Sequence, residues 1–353
     1  MISVFTPSFA DEDDTNAQNL TVKEVVARLS PERFRVVMFH EQAADPRIAA
    51  RPNTTLLKWS KHGNTARMLA HFLRIRPEIY FFPREGPLDT AVFWVKQRFR
   101  LKTAVVGYAV TGGLQNGIPR ASLARNFDQA DVVAANSAFL SHVLEQRLGH
   151  QIPTVHDGVD RRYYYSKPDS RSTEQVIVLY AGSFRPYKRV DRVIRAAARF
   201  PKVEFRIAGR GEEEQSCRQI AQQHDCRNVT FLGHLSQKAL GEEMRRAHVF
   251  FFPSELEGHP QVLAQAAACG LPCVAMDSYH PEFVVHGETG FLANSGTDLE
   301  QKLGLLIRDR NLRERMSLAA VTHIKGFDWD GIAVQWASLF EIAVKNRIEH
   351  KLE

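Results

Sequence analysis

Apolar runs of strand length alternate with helical periodicities along the chain, and the second half shows this most clearly. Residues 176–181 (VIVLYA) form a continuous apolar run ending at Gly182, the pattern of a strand buried on both faces. After a short loop, Val190, Val193, Ile194 and Ala197 recur at helical spacing. Residues 203–207 then alternate as a strand, and further strands are predicted at 229–232, 249–252 and 272–276. Between the last two, residues 260–269 read as a helix with Pro260 at its start and Gly270 just past its end. Strands and helices alternating at crossover lengths predict a parallel sheet covered on both faces.

The first half carries the same pattern less cleanly. Strands are predicted at 2–6, 34–39, 78–82, 103–108, 131–135 and 153–155, and helices at 22–29, 65–74, 90–100 and 138–147. A chain of 353 residues exceeds one ordinary core, so two domains are expected. The polar, aperiodic stretch within 161–175, which includes Ser166-Lys167-Pro168-Asp169-Ser170-Arg171-Ser172-Thr173, reads as the linker. The expected fold is α/β: two Rossmann-like, doubly wound parallel-sheet domains facing across a cleft. Their spans are 1–162 and 173–330, with a last helix at 331–353 carrying Ile332, Val334, Trp336, Leu339 and Ile342. Such sheets bind ligands beyond the carboxyl ends of their strands.

Composition narrows the classes. Hydrophobic residues are 44% and charged residues 24%, an ordinary globular balance. No apolar run approaches the ~20 residues of a membrane-spanning helix. Met1-Ile2-Ser3-Val4-Phe5 begins as a strand and lacks the layout of a secretory signal. Cys217, Cys226, Cys269 and Cys273 have no zinc-like spacing, so reduced thiols in a cytoplasmic protein are expected and no metal site is assigned. The net charge is +6, and residues 58–102 hold ten Lys/Arg against three Asp/Glu. Such a surface suits nucleic acid, anionic lipid or a phosphorylated substrate. Nucleic acid is the least favoured of these, because the stretch has no recognition motif or aromatic platform. Bulky and basic residues interleave from Thr90 to Lys102. We read this segment as a core helix whose basic residues face water, with peripheral contact to an anionic membrane, at its inner face, as the alternative.

Three loops carry chemistry. Gly182-Ser183-Phe184-Arg185-Pro186-Tyr187-Lys188-Arg189 follows a strand and opens a helix. A helix start presents unpaired N–H groups and partial positive charge, and Arg185, Lys188 and Arg189 add full charges there. Cations at that end oppose the helix dipole by roughly 0.3–1 kcal/mol each, which a bound phosphate would offset. Gly209-Arg210-Gly211-Glu212-Glu213-Glu214 invites a dinucleotide reading but lacks the third glycine, and its glutamates would repel a pyrophosphate. Its glycines read as a tight turn near a base or ribose. In the third loop, Glu257 stands at a strand-to-helix junction and Gln265 lies two turns down one helix face. Glu257 reads as a ligand group or a capping acid, and Gln265 as a ligand group or a surface residue. Gly258, His259 and Pro260 are expected to offer backbone N–H groups.

Taken in order, these motifs resemble glycosyltransferase family 4, retaining enzymes of the GT-B fold. Residues 131 to about 330 carry the resemblance. Its marks are Ala130-Asp131-Val132-Val133-Ala134-Ala135-Asn136-Ser137 and His156-Asp157-Gly158-Val159-Asp160, then the 182–189 loop. Asn228-Val229-Thr230-Phe231-Leu232-Gly233, residues 253–272 and Gly287-Glu288-Thr289-Gly290-Phe291-Leu292 follow. The resemblance implies that Glu257 faces the donor sugar, that Gln265 replaces a ribose-binding glutamate, and that Arg185 and Lys188 hold the diphosphate. Gly182, Ser183, Gly209, Gly211, Gly233, Gly258 and His259 would line the nucleotide-sugar site. It also implies that the final segment crosses back onto the first domain.

There are departures. Asp11-Glu12-Asp13-Asp14 fills the loop where paired glycines are usual, Ser183 replaces an arginine, and Val110-Thr111-Gly112-Gly113 stands where the family has a histidine. The implied activity is metal-independent, retaining transfer of a hexosyl group from a UDP- or GDP-linked sugar to a glycan or lipid-linked acceptor, with no cofactor. The alternative is a non-catalytic nucleotide-sugar or glycan-binding protein of the same fold. An epimerase of that fold would need a catalytic acid that the sequence does not offer.

Overall fold

In the computed structural model the described residues are all except 13–15, 60–63, 84–85, 111–113, 116–117, 120–126, 168–174 and 350–353. Thr111, Gly112, Gly113, Asp13, Asp14 and residues 168–174 of the expected linker therefore lie outside the described residues. The chain divides into two compact units, Met1–Asp157 with Trp329–Glu353, and Gly158–Asp328.

The first unit runs β1 (Ile2–Phe9), α1 (Ala17–Arg28), β2 (Phe34–His40), α2 (Pro46–Ala49), β3 (Thr54–Lys58), α3 (Asn64–Ile75), β4 (Ile79–Phe81), α4 (Pro87–Arg98) and β5 (Ala104–Ala109). Two two-residue strands follow, β6 (Leu114–Gln115) and β7 (Ile118–Pro119), then β8 (Val132–Ala135) and α5 (Ala138–Leu148). Its six-stranded sheet has the order β3-β2-β1-β4-β5-β8, with every pairing parallel. The strand expected at 153–155 is only an isolated bridge, Thr154 to Ala135. Helix α4 begins earlier than its apolar rhythm suggests. Pro87 opens it, and Asp89 reaches back to accept from the Gly86 N–H at 3.0 Å and from the Tyr80 hydroxyl at 2.6 Å.

The face of α4 carrying Leu88, Val92, Phe93 and Val95 is buried, as a core helix requires. One basic residue departs from the expectation. Lys96 does not face water: its ammonium is buried and donates to Asp131 at 2.7 Å, and burial pulls its pKa down against that partner. Asp131 also accepts from the Val105 N–H at 2.7 Å and from Arg347 at 3.0 Å.

The second unit runs β9 (Ile177–Ala181), a 3₁₀ turn at Pro186–Lys188, α6 (Val190–Arg199), β10 (Glu204–Ala208), α7 (Glu214–Gln223), β11 (Val229–Gly233), α8 (Gln237–Arg246) and β12 (Val249–Phe252). Then come α9 (Gln261–Ala268), β13 (Cys273–Met276), β14 (Gly290–Ala293), α10 (Gly296–Arg308) and α11 (Arg310–His323). Its sheet has the order β11-β10-β9-β12-β13-β14, again all parallel. Residues of β9, β12 and β13 are buried throughout, which is why each reads as an unbroken apolar run. Tyr164 is buried with this core although it falls within the stretch read as linker.

The last helix, α12 (Trp329–Glu349), returns to the first unit. Trp336 is wholly buried there, with ring centroids 4.9 Å from Phe81, 4.8 Å from Tyr108 and 6.1 Å from Phe340. Asp157 ends the first stretch of this unit as a buried carboxylate, accepting from Thr21 at 2.7 Å and Tyr108 at 3.2 Å.

Candidate functional site

In the second unit the strand order reverses between β9 and β12: β9 leads to β10 on one side, and β12 leads to β13 on the other. Loops at such a point splay apart and leave room for a ligand at the carboxyl ends of the strands. The loops here are 182–189 after β9 and 253–260 after β12, the two that sequence reasoning singled out. Backbone and side-chain bonds tie them together. Tyr187 O accepts from the Glu255 N–H at 2.9 Å and from the Ser254 hydroxyl at 3.3 Å.

Lys188 and Glu257 meet at this tie. The ammonium and the carboxylate are 2.5 Å apart, with side chains only 14% and 10% exposed. Lys188 Nζ also lies 5.3 Å from the Phe252 ring centre and 5.5 Å from that of Tyr187, so its charge sits against aromatic faces. Arg185 is exposed and makes no ion pair among the described residues. Arg189, counted in sequence as a third free cation, is already neutralised. It pairs with Asp191 at 3.0 Å and Glu255 at 2.6 Å, and the Asp191 hydrogen bonds raise its pKa. Arg192 joins it on Glu255 at 2.6 Å.

The expected helix start is displaced. Residues 186–188 form the 3₁₀ turn, Arg189 adopts φ 51° in the left-handed region, and α6 begins only at Val190. The N–H groups of Lys188 and Arg189 bond to Arg185 O and Pro186 O, so the anion-facing character of this loop rests on side chains more than on those amides.

The neighbouring loops explain the glycines. Gly209, at φ 135°, runs so close to the β9 loop that a Cβ would lie 1.8 Å from Gly182 O. A Cβ on Gly211 would lie 2.6 Å from Phe184 O, and one on Gly182 would lie 2.7 Å from the Tyr180 hydroxyl. Gly209 N–H donates to Gly233 O at 2.7 Å, joining the ends of β10 and β11. Gly209 and Gly211 therefore answer a backbone-to-backbone approach, and Gly182 the close approach of a buried tyrosine. Ser183 is exposed, and its carbonyl accepts from the Tyr180 hydroxyl at 3.2 Å. Glu213 and Glu214 cap and open α7, as an acid-rich start suggests.

Gly258 is partly exposed, and His259 is buried with its ring centre 4.1 Å from Phe283. Pro260 has no N–H, so the expected run of three backbone donors falls to two. Gln265 is partly exposed on α9.

Sequence reasoning missed two residues near Glu257. Gln261, one turn before Gln265 on the same helical face, has a buried Nε2 without a hydrogen-bond partner. Tyr279, after β13, is 6% exposed, and its hydroxyl also lacks a partner. Burial, then the Glu257 charge, raises its pKa well above the usual phenol value. A polar pair spaced four apart on an otherwise apolar helix could have exposed Gln261. No local pattern marks Tyr279.

Known proteins bear on this geometry. A family model described as glycosyl transferases group 1 matches residues 165–322. An uncharacterized glycosyltransferase of Methanocaldococcus jannaschii is 24% identical over 215 residues, 60% of this chain and 60% of that protein. N-acetyl-alpha-D-glucosaminyl L-malate synthase of Bacillus anthracis is 28% identical over 205 residues, 54% of this chain and 53% of the synthase. The chain thus spans about half the length of the curated relatives it matches. Anabaena HepE, solved in complex with UDP and glucose, superposes with a TM-score of 0.77 at 17% identity, covering 97% of this chain and 100% of HepE. With that likeness of fold and two doubly wound sheets, the chain has the GT-B fold, carries a glycosyl transferases group 1 region and resembles glycosyltransferase family 4.

Proposed function

We propose that this protein is a retaining, metal-independent glycosyltransferase that moves a hexosyl group from a UDP- or GDP-linked donor to a glycan or lipid-linked acceptor. The observation carrying this reading is the Lys188–Glu257 pair, a cation and a carboxylate held together where the strand order of the second unit reverses. As the glycosidic bond breaks, negative charge grows on the departing diphosphate. Lys188 and Arg185 stabilise that charge more than they stabilise the ground state, which is what accelerates transfer. Glu257 takes hydroxyls of the donor sugar and Gln265 takes the ribose. Gly258 and His259 add backbone donors, and Gly182, Ser183, Gly209, Gly211 and Gly233 let the nucleotide approach the strand ends. HepE, which shares the fold, has been solved with UDP and glucose, which supports a nucleoside-diphosphate sugar as the donor class.

Thermal-shift measurements with UDP, GDP and ADP test the reading. A nucleotide at a hundred times its Kd stabilises the protein by roughly 2.7 kcal/mol, readily visible as a raised melting temperature. No shift with any of the three removes the donor site. Nucleotide binding without turnover on any acceptor would instead favour the non-catalytic binder.

The acceptor side of the proposal includes peripheral contact with an anionic membrane. Trp94 and Phe99 are 60% and 58% exposed beside each other, ring centroids 6.3 Å apart, among exposed Arg98, Arg100 and Lys102. Aromatic residues amid cations suit the headgroup layer of an anionic bilayer. Among the described residues no helix is long and apolar enough to cross a membrane. The protein is expected to sediment with phosphatidylserine vesicles at low salt and not with phosphatidylcholine vesicles, and Trp94→Ala with Phe99→Ala should release it. Failure to bind either vesicle at low salt ends the membrane proposal.

A further inference from the structure

The Lys188–Glu257 pair poses a problem for the function just proposed. If Lys188 receives a diphosphate, it must first leave a carboxylate that is 90% buried. An uncompensated charge at such a site is strongly unfavourable, so Glu257 requires a replacement donor nearby. Two tyrosines are close enough for the Glu257 charge to raise their pKa values further, after burial itself: Tyr180 and Tyr279. Tyr180 is committed, because its hydroxyl donates to Ser183 O at 3.2 Å. Tyr279 is not. Its hydroxyl is buried and has no partner, and buried polar groups left in that condition call for an explanation. The Tyr279 loop is also fastened beside the Glu257 loop, since Ser278 donates to Glu255 O at 2.8 Å.

We propose that the Lys188–Glu257 ion pair is a resting clamp which the donor's diphosphate opens, and that Tyr279 is a positioning residue whose idle hydroxyl takes the Glu257 carboxylate when Lys188 leaves it. This rests on the reading of Lys188 as a diphosphate ligand. In the resting state the ammonium and the carboxylate satisfy each other and the phenol waits. In the occupied state the ammonium faces phosphate oxygens, the phenol donates to the carboxylate, and the other oxygen of Glu257 is free for a sugar hydroxyl. Tyr279 thereby couples departure of the lysine to presentation of the glutamate.

The test is UDP binding by calorimetry to the full chain, with GDP and ADP beside it, for wild type, Glu257→Gln, Tyr279→Phe and the double variant. Glu257→Gln removes the competitor for Lys188, so UDP should bind about tenfold more tightly although a site residue has been altered. Tyr279→Phe should weaken UDP about fivefold in the wild-type background and less than about twofold in the Glu257→Gln background, where no carboxylate needs the phenol. Its melting temperature without ligand should not fall, because an unpaired hydroxyl has been removed. Equal UDP affinity in wild type and Glu257→Gln overturns the clamp. A lowered unliganded melting temperature, or unchanged UDP affinity, in Tyr279→Phe overturns the role of Tyr279. Absence of binding to UDP, GDP and ADP in wild type overturns the donor-site reading itself, and the clamp with it.

Discussion

Lys188→Ala is expected to lower turnover by at least about tenfold, toward the 10²–10³ that loss of one preorganised charge-stabilising donor costs elsewhere. The side chain is only 14% exposed and lies against the faces of Tyr187 and Phe252, so water does not substitute for it easily. The same substitution strands Glu257 without its cation. Breaking a buried pair costs about 3–5 kcal/mol; the residual exposure here, and the Tyr279 hydroxyl at hand to donate to the carboxylate, argue for the lower end. Loss of activity and loss of stability must therefore be separated. Adding Glu257→Gln to Lys188→Ala removes the stranded charge and should restore much of the melting temperature while leaving turnover low. Unchanged kinetics in the single variant would exclude Lys188 from the chemistry.

Trp336→Ala should destabilise the first unit by about 3–5 kcal/mol, the usual cost of emptying a large aromatic site in a core. Trp336 is fully buried and touches Phe81, Tyr108 and Phe340. All four tryptophans of the chain, Trp59, Trp94, Trp329 and Trp336, belong to the first unit, so tryptophan fluorescence, excited selectively over tyrosine, reports that unit. In urea, with a typical slope of ~1–3 kcal/mol per molar, the fluorescence midpoint should fall by at least about 1 M. The helical signal of the second unit should keep its own midpoint. Trp336→Phe should cost far less, since the indole nitrogen has no hydrogen-bond partner to lose. A fluorescence midpoint unmoved by the alanine would mean that α12 does not complete the first core.

Much of this architecture could be read from the chain because buried parallel strands leave unbroken apolar runs. The strands β9, β12 and β13, and helix α9 with Pro260 before it and Gly270 after it, lie within a residue or two of the positions predicted from those runs. The edge strand β3 was missed: Thr54–Lys58 is nowhere fully buried and carries no such run. The loops of the candidate site were legible from cations and glycines, but the pairings within them were not. Lys188 and Glu257 stand 69 positions apart, and only the adjacency of β9 and β12 brings them together. The delayed start of α6 was hidden too, because nothing in the residue types announces that Arg189 turns left-handed. Lys96 was misread for a related reason. A lysine beside exposed basic residues looks solvated until the fold supplies Asp131.

The second unit is one unbroken stretch of chain, whereas the first closes only when α12 packs onto a sheet whose strands all precede that second unit in the chain. On the ribosome the order of completion is thus inverted. The sheet of the first unit waits, with the binding faces for Trp336 and Phe340 uncovered, until α12 emerges after the whole second unit. A nascent chain stalled after Asp328 would present a finished second lobe joined to an aggregation-prone first one, and chaperones would be expected to dwell on the amino-terminal sheet.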